Sequence, residues 1–459
     1  MRKVLLAGLT AFALMFSIPT GVIATTVTPR TPFQTSTRPY LVGLQPGVDI
    51  TPIISTGDLI GGSLGGFQYS ADPDGIGFYQ SSPNRLEVFT NHELSYRYGD
   101  PAWSRVSHLT LNGAAQVVAA GYAVDGTERY EYFCSSTMEM IGGVPWYFTG
   151  EEWFASPRGG TSIAINALTG HVIETPQFGS LNHENVVPMK NMSKAAMFLS
   201  EDSFRLRSQA YSYFADGFSD ATKGRGSFSV WVPDDQGDGD PSANDIAKGD
   251  TMSGHFVTIP HVERYTGLQL NEVAESLGSF NFIRIEDAAT DPGTPGVVYF
   301  ADTGATKTTE NRYGRIYKLT LDPANPRQAD LKVVLDNGAG DDIVNPDGLG
   351  LNDQALVIQE DRNKAATGVA RIHVYDLTSE TLTAVAALDP SDAAIAKAGG
   401  PGVWESSGVV DVSDFFGPGM WLVNVQAHKT KIRQQGLDLQ VDSGVGERGQ
   451  LLLVKIPGT

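Results

Sequence analysis

The chain has 459 residues, and its 52 acidic and 33 basic residues give a formal charge of −19 at pH 7. A charge this negative excludes nucleic acid as the expected partner, because a phosphate backbone needs a positive surface to meet it. The length allows either one large repeat-built domain or two or three ordinary domains.

The N-terminus has the pattern of an export signal. Arg2 and Lys3 form a short positive region, Leu5–Ile18 is almost uncharged and apolar, and Val22-Ile23-Ala24 suits a cleavage position. This pattern predicts a signal peptide over residues 1–24 and a secreted or periplasmic mature chain over 25–459. An uncleaved membrane anchor is the alternative, although the apolar run is short for a span. We expect no membrane span in the mature chain.

Short β-rich runs separated by turn residues continue along the rest of the chain. Together with 51 glycines and 25 prolines, they predict an all-β protein. The predicted strands are Leu86–Thr90, Ala115–Ala120, Thr161–Asn166, Ser227–Val232, Val297–Phe300, Arg315–Leu319, Ala355–Gln359, Ala370–Tyr375, Trp421–Val425 and Leu451–Ile456. Helical periodicity predicts two short helices, at Leu268–Leu277 and Ala393–Ala398.

Carboxylates recur where the predicted strands end. These acids are Glu93, Glu151-Glu152, Glu201-Asp202, Glu286-Asp287, Asp302 and Glu360-Asp361. Such a repeat suits one β-propeller domain with irregular insertions, because successive blades bring corresponding strand ends to one axis. The C-terminal strand Gln450–Pro457 is expected to pair with an early strand and close the ring. Two stacked β-sandwich domains are the alternative, but no linker of biased composition divides the chain.

Acidic strand ends that converge near an axis repel one another, so they must take up protons or share cations. Outside the cell calcium is the usual cation, because it accepts roughly six to eight oxygen ligands in loose geometry. Each acid taken alone is more simply explained as a solvated residue on the rim. Their repeated placement favours a metal centre.

The single cysteine and two of the histidines are further candidates. Cys134 is either buried and inert or has a function, since a free thiol is a liability in an exported protein. His92 and His183 each precede a glutamate in the sequence Asn-His-Glu. Neighbouring side chains of a strand point to opposite faces. We therefore expect Glu93 and Glu184 to be ligands and the histidines to pack behind them.

Arg284 lies two residues before Glu286, so in a strand both side chains face the same way. An arginine beside a metal-binding carboxylate suits an anionic substrate, because its fork binds two phosphate oxygens. An ordinary surface ion pair is the alternative explanation.

Five blocks of the sequence resemble the PhoX family of alkaline phosphatases. They are Phe89-Thr90-Asn91-His92-Glu93; Cys134 with Gly143-Val144-Pro145-Trp146 and Glu151-Glu152; Phe178 to Glu184; Arg284-Ile285-Glu286 with Asn345 to Leu349; and Glu405 to Gly408 with Asn424 to His428. Their order and spread carry the resemblance. The chain departs from the family pattern at Cys134-Ser135-Ser136-Thr137, where Cys-Ala-Gly-Gly is common, at Ile285, where proline is usual, and in lacking twin arginines in its signal.

The resemblance implies a six-bladed β-propeller whose axis holds two ferric ions and calcium ions joined by an oxo bridge. It makes Cys134 the thiolate ligand of iron, Glu184 and Glu286 further iron ligands, and Arg284 the phosphate-binding residue. It also assigns other residues to calcium or to the surroundings of the ligands: Glu93, Glu152, Asp202, Asp347 and Glu405.

Together with the predicted export signal, the resemblance implies an exported, monomeric alkaline phosphatase that hydrolyses small phosphate monoesters. Its expected cofactors are Ca²⁺ and Fe³⁺, and a metal-bound oxo or hydroxide group is the expected nucleophile. Arg284 would stabilise negative charge on the non-bridging oxygens. A phosphodiesterase or phytase-like esterase on the same site is one alternative. A non-catalytic, calcium-bound propeller that acts as a binding module is the other.

Overall fold

The computed structural model describes residues 26–61, 66–96, 102–190, 192, 194–203, 207–362, 368–389, 391–392, 400, 402–433 and 445–459. The predicted signal peptide and the predicted helix Ala393–Ala398 lie outside these residues.

The first strands in chain order are β1 Leu41–Gly43, β2 Asp49–Ser55, β3 Leu59–Ile60, β4 Phe67–Gln68, β5 Pro73–Ser82, β6 Arg85–His92, β7 Arg105–Leu111, β8 Val117–Val124, β9 Thr137–Ile141, β10 Val144–Gly150, β11 Ser162–Asn166, β12 His171–Glu174, β13 His183–Pro188 and β14 Ala195–Glu201. The later strands are β15 Tyr211–Ala215, β16 Gly226–Pro233, β17 Thr251–Thr258, β18 Ile285–Thr290, β19 Val297–Asp302, β20 Arg315–Leu321, β21 Gln328–Asp336, β22 Pro346–Leu351, β23 Ala355–Glu360, β24 Arg371–Asp376, β25 Thr381–Leu388, β26 Glu405–Asp411, β27 Met420–Arg433 and β28 Val445–Lys455. Each predicted strand overlaps one of these.

The strands pair into antiparallel sheets of four, five and nine strands. The four-stranded sheets have the orders β5-β6-β7-β8, β12-β11-β10-β9 and β2-β28-β27-β26. The five-stranded sheet is β1-β25-β24-β23-β22, and β3 and β4 form a small hairpin. In the nine-stranded sheet, β17 pairs with β16 on one side and with β21 on the other. It thereby joins the meander β13–β16 to the meander β18–β21.

The first strands of successive meanders form a ring. In chain order, β5, β9, β13, β18, β22 and β26 each contact the next, and β26 contacts β5. The ring gives the sheets a propeller-like arrangement, which confirms the predicted all-β class. The predicted count of six blades does not follow from strand pairing alone, because two meanders are fused. Early strand β2 pairs with β28, Ile50 lying opposite Val454, so the predicted closure by the C-terminal strand is confirmed.

Sheets of this ring are buried on both faces, which explains their apolar sequences. In β6, Leu86 and Val88 pack into the cluster shared with the last sheet, whereas Phe89 packs towards the second sheet. In β23, Val357 and Ile358 likewise belong to different clusters. Successive side chains of a strand alternate between its faces, so both faces must be apolar.

Four strands of the ring carry the same irregularity near their first residues. From Pro73 to Ile76 the ring strand β5 advances three residues, whereas its partner β6 advances two, from His92 to Thr90. The same bulge occurs in β13, β18 and β22. A bulge redirects a side chain out of the strict alternation of a strand. Each of the four bulges contains an acid at the second residue of its strand: Asp74, Glu184, Glu286 or Asp347.

Helices are few in the described residues. The α-helices are α1 Phe218–Ala221, α2 Gly267–Ser276 and α3 Ser413–Phe416. The short 3-10 helices are Pro176–Phe178, Ala243–Asp245, Val262–Arg264 and Asn337–Ala339. Helix α2 confirms the helix predicted over Leu268–Leu277, and Thr266 and Gln269 form a capping box at its start. None of the described helices has the length and apolar character that crossing a membrane requires.

We expect Gly75→Ala to destabilise the protein by about 1–3 kcal/mol, because a new methyl group would overpack a filled site. A Cβ at Gly75 would lie 2.5 Å from Ser136 N and 2.7 Å from the Cys134 carbonyl oxygen. The midpoint of denaturant unfolding measures the effect. Gly113→Ala is the control, since nothing lies within 4 Å of a Cβ there. Equal midpoints for the two variants would contradict this packing argument.

Candidate metal centre

Corresponding positions of the ring strands carry acids. Asp74, Glu184, Glu286 and Asp347 are the second residues of β5, β13, β18 and β22, and Glu405 is the first residue of β26. The first four lie within the shared bulge. The ring brings these strand starts together, although Asp74 and Glu405 are more than three hundred residues apart in sequence.

A second set of residues flanks the first. Glu93, Glu152, Asp202 and Asp361 follow the ends of β6, β10, β14 and β23, the strands that pair with the ring strands. Cys134 precedes the ring strand β9. Each meander therefore delivers a side chain from a ring strand, from the end of its partner, or from both.

Four groups of three ligand-type residues form a continuous chain, with one ligand atom of each residue within 4.8 Å of the others. The groups are Asp74–Glu93–Cys134, Cys134–Glu152–Glu184, Glu184–Glu286–Asp347 and Asp347–Asp361–Glu405. Cys134, Glu184 and Asp347 each belong to two groups, so neighbouring groups share a corner. The structure therefore brings together seven of the eight predicted ligands, the exception being Asp202.

Burial and mutual repulsion hold the protons on these acids. Burial raises the pKa of Glu184 and of Glu405 to about 8, even though Ser135 and His428 lower them through hydrogen bonds. The pKa of Asp347 is raised well above its usual value by burial and by Glu184. Burial, followed by Asp74, raises the pKa of the Cys134 thiol. Without cations, this cluster is stable only as a largely protonated one.

The donor atoms suit cations. Glu184 Oε2 and Glu152 Oε1 are buried and have no hydrogen-bond partner in the described part of the chain, which is costly for a carboxylate unless something else binds it. Carboxylate oxygens are preferred ligands of Ca²⁺. A thiolate among carboxylates suits iron better than calcium. The chain of groups thus fits several cations, with the thiol at one of the shared corners.

Arg284 lies beside this chain and is bound to Glu286, which belongs to it, and to Asp202, which does not. Its Nε and Nη2 donate to the two oxygens of Asp202 at 2.9 and 2.6 Å, and Nη2 lies 3.0 Å from Glu286 Oε1. Asp202 is fully buried, whereas the arginine side chain is 24% exposed. Asp202 therefore orients the guanidinium, and its predicted role as a ligand stays a prediction.

Adjacent acids at the strand ends divide their roles. Glu152 joins the cluster, whereas Glu151 accepts bonds from Ser156 Oγ and two backbone amides. Glu286 joins it, whereas Asp287 accepts bonds from Asn185 and from the amides of Ala288 and Leu349. Glu360 likewise bonds to Arg362, Arg371 and His373. One acid of each pair stabilises the fold while its neighbour faces the cluster.

The histidines of both Asn-His-Glu sequences lie in the protein interior. His92 contacts the Ala71 carbonyl at 2.8 Å and Ser107 Oγ at 3.0 Å, and burial lowers its pKa to about 3. His183 contacts the Gly179 carbonyl at 3.0 Å, and burial lowers its pKa to about 4. These contacts agree with the expectation that the histidines pack, while Glu93 and Glu184 join the cluster.

The structure adds residues that the sequence did not single out. Asp74 bonds to Gln426 Nε2 at 2.7 Å and lies 3.4 Å from Cys134 Sγ. His428 bridges Glu405 and Glu447 at 3.1 and 2.8 Å, and with Asp72 and Glu447 forms a fifth ligand-type group. A sequence signal for Asp74 existed: Pro-Asp-Gly-Ile-Gly at 73–77 repeats Pro-Asp-Gly-Leu-Gly at 346–350.

Comparisons with known proteins give a likeness of fold. No protein-family model matches the chain, and no curated protein sequence matches it. The structure is similar to that of Pseudomonas fluorescens PhoX in complex with vanadate, a transition state analogue, with a TM-score of 0.62 and 14% identity over 96% of this chain and 97% of that chain. The periplasmic gluconolactonase PpgL of Pseudomonas aeruginosa, at a TM-score of 0.39 and 14% identity over 85% and 90% of the chains, is too dissimilar to support an argument. The chain therefore shares the fold of PhoX over nearly its whole length.

Proposed function

We propose that this protein is an exported metal-dependent phosphatase that hydrolyses phosphate monoesters at the acidic cluster. The observation that carries the proposal is the position of Arg284, a partly exposed guanidinium held against a chain of buried carboxylates and one thiol. A cluster that needs cations, together with a fixed anion-binding arginine, suits a substrate with several negative oxygens.

The proposal includes six blades. The ring has six first strands, and the fused sheet divides at β17 into two four-stranded meanders. We count β17, which lies between the two meanders, and the edge strand β1 as added strands. Each blade then has four strands, and in the last blade the early strand β2 is the fourth. The fold likeness to PhoX supports this count, because it covers nearly all of both chains.

Ca²⁺ and Fe³⁺ are the proposed cofactors. Cys134, Glu184 and Glu286 would hold iron, and the other acids of the cluster (Asp74, Glu93, Glu152, Asp347, Asp361 and Glu405) would hold calcium. When bound, such cations supply Lewis-acid activation of a phosphate ester. The iron set follows the family resemblance, and the position of the single thiol at a corner shared by two groups supports it.

The chain's own residues bind and orient the substrate. Arg284 would bind the phosphate group with its guanidinium and stabilise the charge that grows on the phosphate oxygens during the reaction. The bidentate pair with Asp202 fixes the plane of the guanidinium before substrate arrives. Such preorganisation avoids the cost of orienting a long side chain in the reaction.

The resemblance of the sequence blocks to the PhoX family and the fold likeness support the same reaction. By the same resemblance we propose a secreted or periplasmic monomer that acts on small phosphate esters.

Purified mature chain tests the proposal. We expect it to hydrolyse a chromogenic phosphate monoester at alkaline pH, to lose that activity with a chelator, and to contain calcium and iron by elemental analysis. Higher activity on a diester than on a monoester would favour a phosphodiesterase or phytase-like esterase. Calcium without iron or turnover would instead indicate a binding module.

Cys134→Ser separates the thiolate from the rest of the site. We expect the variant to lose iron and most activity while keeping its calcium, because a hydroxyl is a much poorer ligand for iron than a thiolate. Ser136→Ala, two residues away and outside the cluster, is the matched control. A Cys134→Ser protein with full activity and full iron content would remove the thiol from the mechanism.

A further inference from the structure

The residue after Cys134 lies directly against an acid that two groups of the cluster share. Ser135 is 2% exposed, and its Oγ donates a hydrogen bond to Glu184 Oε1 at 2.5 Å. Glu184 is fully buried and joins the group that contains Cys134 to the group that contains Asp347. The orientation of this one carboxylate therefore affects two groups at once.

The backbone that carries Ser135 is held by other residues. Asn91 Nδ2 donates to the carbonyl oxygens of Cys134 and Ser135 at 2.7 and 3.1 Å. Thr149 Oγ1 donates to the Ser135 carbonyl at 3.1 Å, and the Gly75 amide donates to the Cys134 carbonyl at 3.1 Å. Because these bonds do not involve the Ser135 hydroxyl, the turn persists without it.

The hydrogen bond from Ser135 makes the two oxygens of Glu184 different. Oε1 accepts a hydrogen bond from the Ser135 hydroxyl. Oε2 is buried and has no hydrogen-bond partner among the residues that the structure describes. A carboxylate fixed through one oxygen loses less rotational freedom when the other oxygen binds a cation.

We propose that Ser135 is a positioning residue that holds Glu184 ready to bind a cation through Oε2. The inference rests on the cation centre of the proposed function but not on its phosphatase chemistry. It concerns a residue at which this chain differs from the related family pattern, so it is a property of this protein's own cluster. Polar partners of metal ligands typically change affinity about 10–100-fold when they are removed.

The test measures cation binding to the full-length mature chain after its metals have been removed. Titration with Co²⁺ gives both the affinity and the absorption band of a Cys134 thiolate bound to metal. We expect Ser135→Ala to bind Co²⁺ about 10–100-fold more weakly and to shift this absorption band. Ser136→Ala, which changes the next hydroxyl of the same turn, should behave as wild type.

Two further variants of the same shape separate the loss of the hydrogen bond from a change in packing or folding. Ser135→Thr keeps the hydroxyl and Ser135→Val has the same shape without it, so their difference reports the hydrogen bond alone. We expect Ser135→Thr to bind Co²⁺ more tightly than Ser135→Val. Equal affinities within this pair, or equal losses in Ser135→Ala and Ser136→Ala, would overturn the inference.

The outcomes separate this inference from the proposed function. A wild-type chain that binds cations with the expected Ser135 dependence but hydrolyses no phosphate ester would refute the phosphatase and leave the positioning role intact. An active phosphatase whose Co²⁺ affinity and absorption band are unchanged in Ser135→Ala would do the reverse.

Discussion

Replacing Arg284 with alanine is expected to destabilise the protein by about 3–5 kcal/mol, because it leaves buried charge without its partner. The same change should lower monoester hydrolysis about 10²–10³-fold, the usual cost of losing one donor to the charge of a transition state. Two different properties of one side chain, its ion pairs and its contact with substrate, predict these two losses.

The stability loss follows from what Arg284 leaves behind. Asp202 is fully buried and accepts hydrogen bonds from both Nε and Nη2 of the guanidinium. Glu286 is 2% exposed, and its Oε1 lies 3.0 Å from Nη2. Without the arginine, Asp202 must bury an unpaired charge or take up a proton. Arg284→Lys keeps the charge but not the planar fork, so it should retain more stability than activity.

Unfolding midpoints and kcat/KM, measured in the same calcium-containing buffer, check this prediction. Arg225→Ala is the control: its pair with Asp220 lies at the surface, with side chains 62% and 32% exposed. An exposed pair contributes about 1 kcal/mol or less, so the control should unfold almost as wild type. Similar midpoints for the two alanine variants, or an unchanged rate in Arg284→Ala, would contradict the role assigned to Arg284.

The strands and the convergence of the acids could be predicted from sequence because both leave local signals. Apolar runs such as Leu86–Thr90 are bounded by turn residues, and a sheet buried on both faces requires them. The acids recur at the same place in successive runs, and a ring of strands necessarily brings such places together. Local pattern and repetition were therefore enough for the class of fold and for part of the cluster, namely Glu93, Glu152, Glu286 and Asp361. Asp347 and Glu405 were expected only from the family resemblance.

The partners of individual acids could not be predicted in the same way. Whether Asp202 faces a cation or Arg284 depends on a contact between residues 82 positions apart. Which acid of a pair such as Glu286-Asp287 joins the cluster depends on the bulge in β18, since it sets the direction of each side chain. A bulge of this kind has no strong signal in a single sequence.

The fused sheet has a similar explanation. Strand β17 follows a long excursion after β16, and its sequence, Thr251–Thr258, resembles any exposed edge strand. Its pairing with β21 is a long-range contact that joins two successive meanders into one sheet. The number of separate sheets therefore depends on an insertion, whereas the ring of first strands does not.

Removing the cations should make stability fall as pH rises from about 4.3 to about 8. Glu184 and Glu405 have pKa values raised to about 8 by burial, whereas in the unfolded chain a glutamate titrates near its ordinary value of about 4.3. Between these values the folded protein binds more protons than the unfolded one, so its stability decreases as pH rises. Each such group costs about 1.4 kcal/mol per pH unit in this interval.

The window from pH 6.5 to 8.5 isolates this effect from the buried histidines. His92 and His183 have pKa values lowered by burial, so they weaken the fold only as pH falls below their ordinary value of about 6.5. His428 acts in the same direction as the acids: burial opposes its charge, but Glu405 raises its pKa well above the ordinary value. Its contribution is therefore also lost as pH rises.

Thermal unfolding of the chelated protein at pH 6.5 and 8.5, repeated with excess Ca²⁺, checks this prediction. We expect the chelated protein to melt at a clearly lower temperature at pH 8.5, and calcium to remove most of the difference, because cations replace protons as the charges that hold the acids together. Glu405→Gln should reduce the pH dependence of the chelated protein, since the amide carries no proton to lose. A chelated protein equally stable at both pH values would mean that the acids ionise freely in the fold, and the electrostatic reason for a metal centre would then be gone.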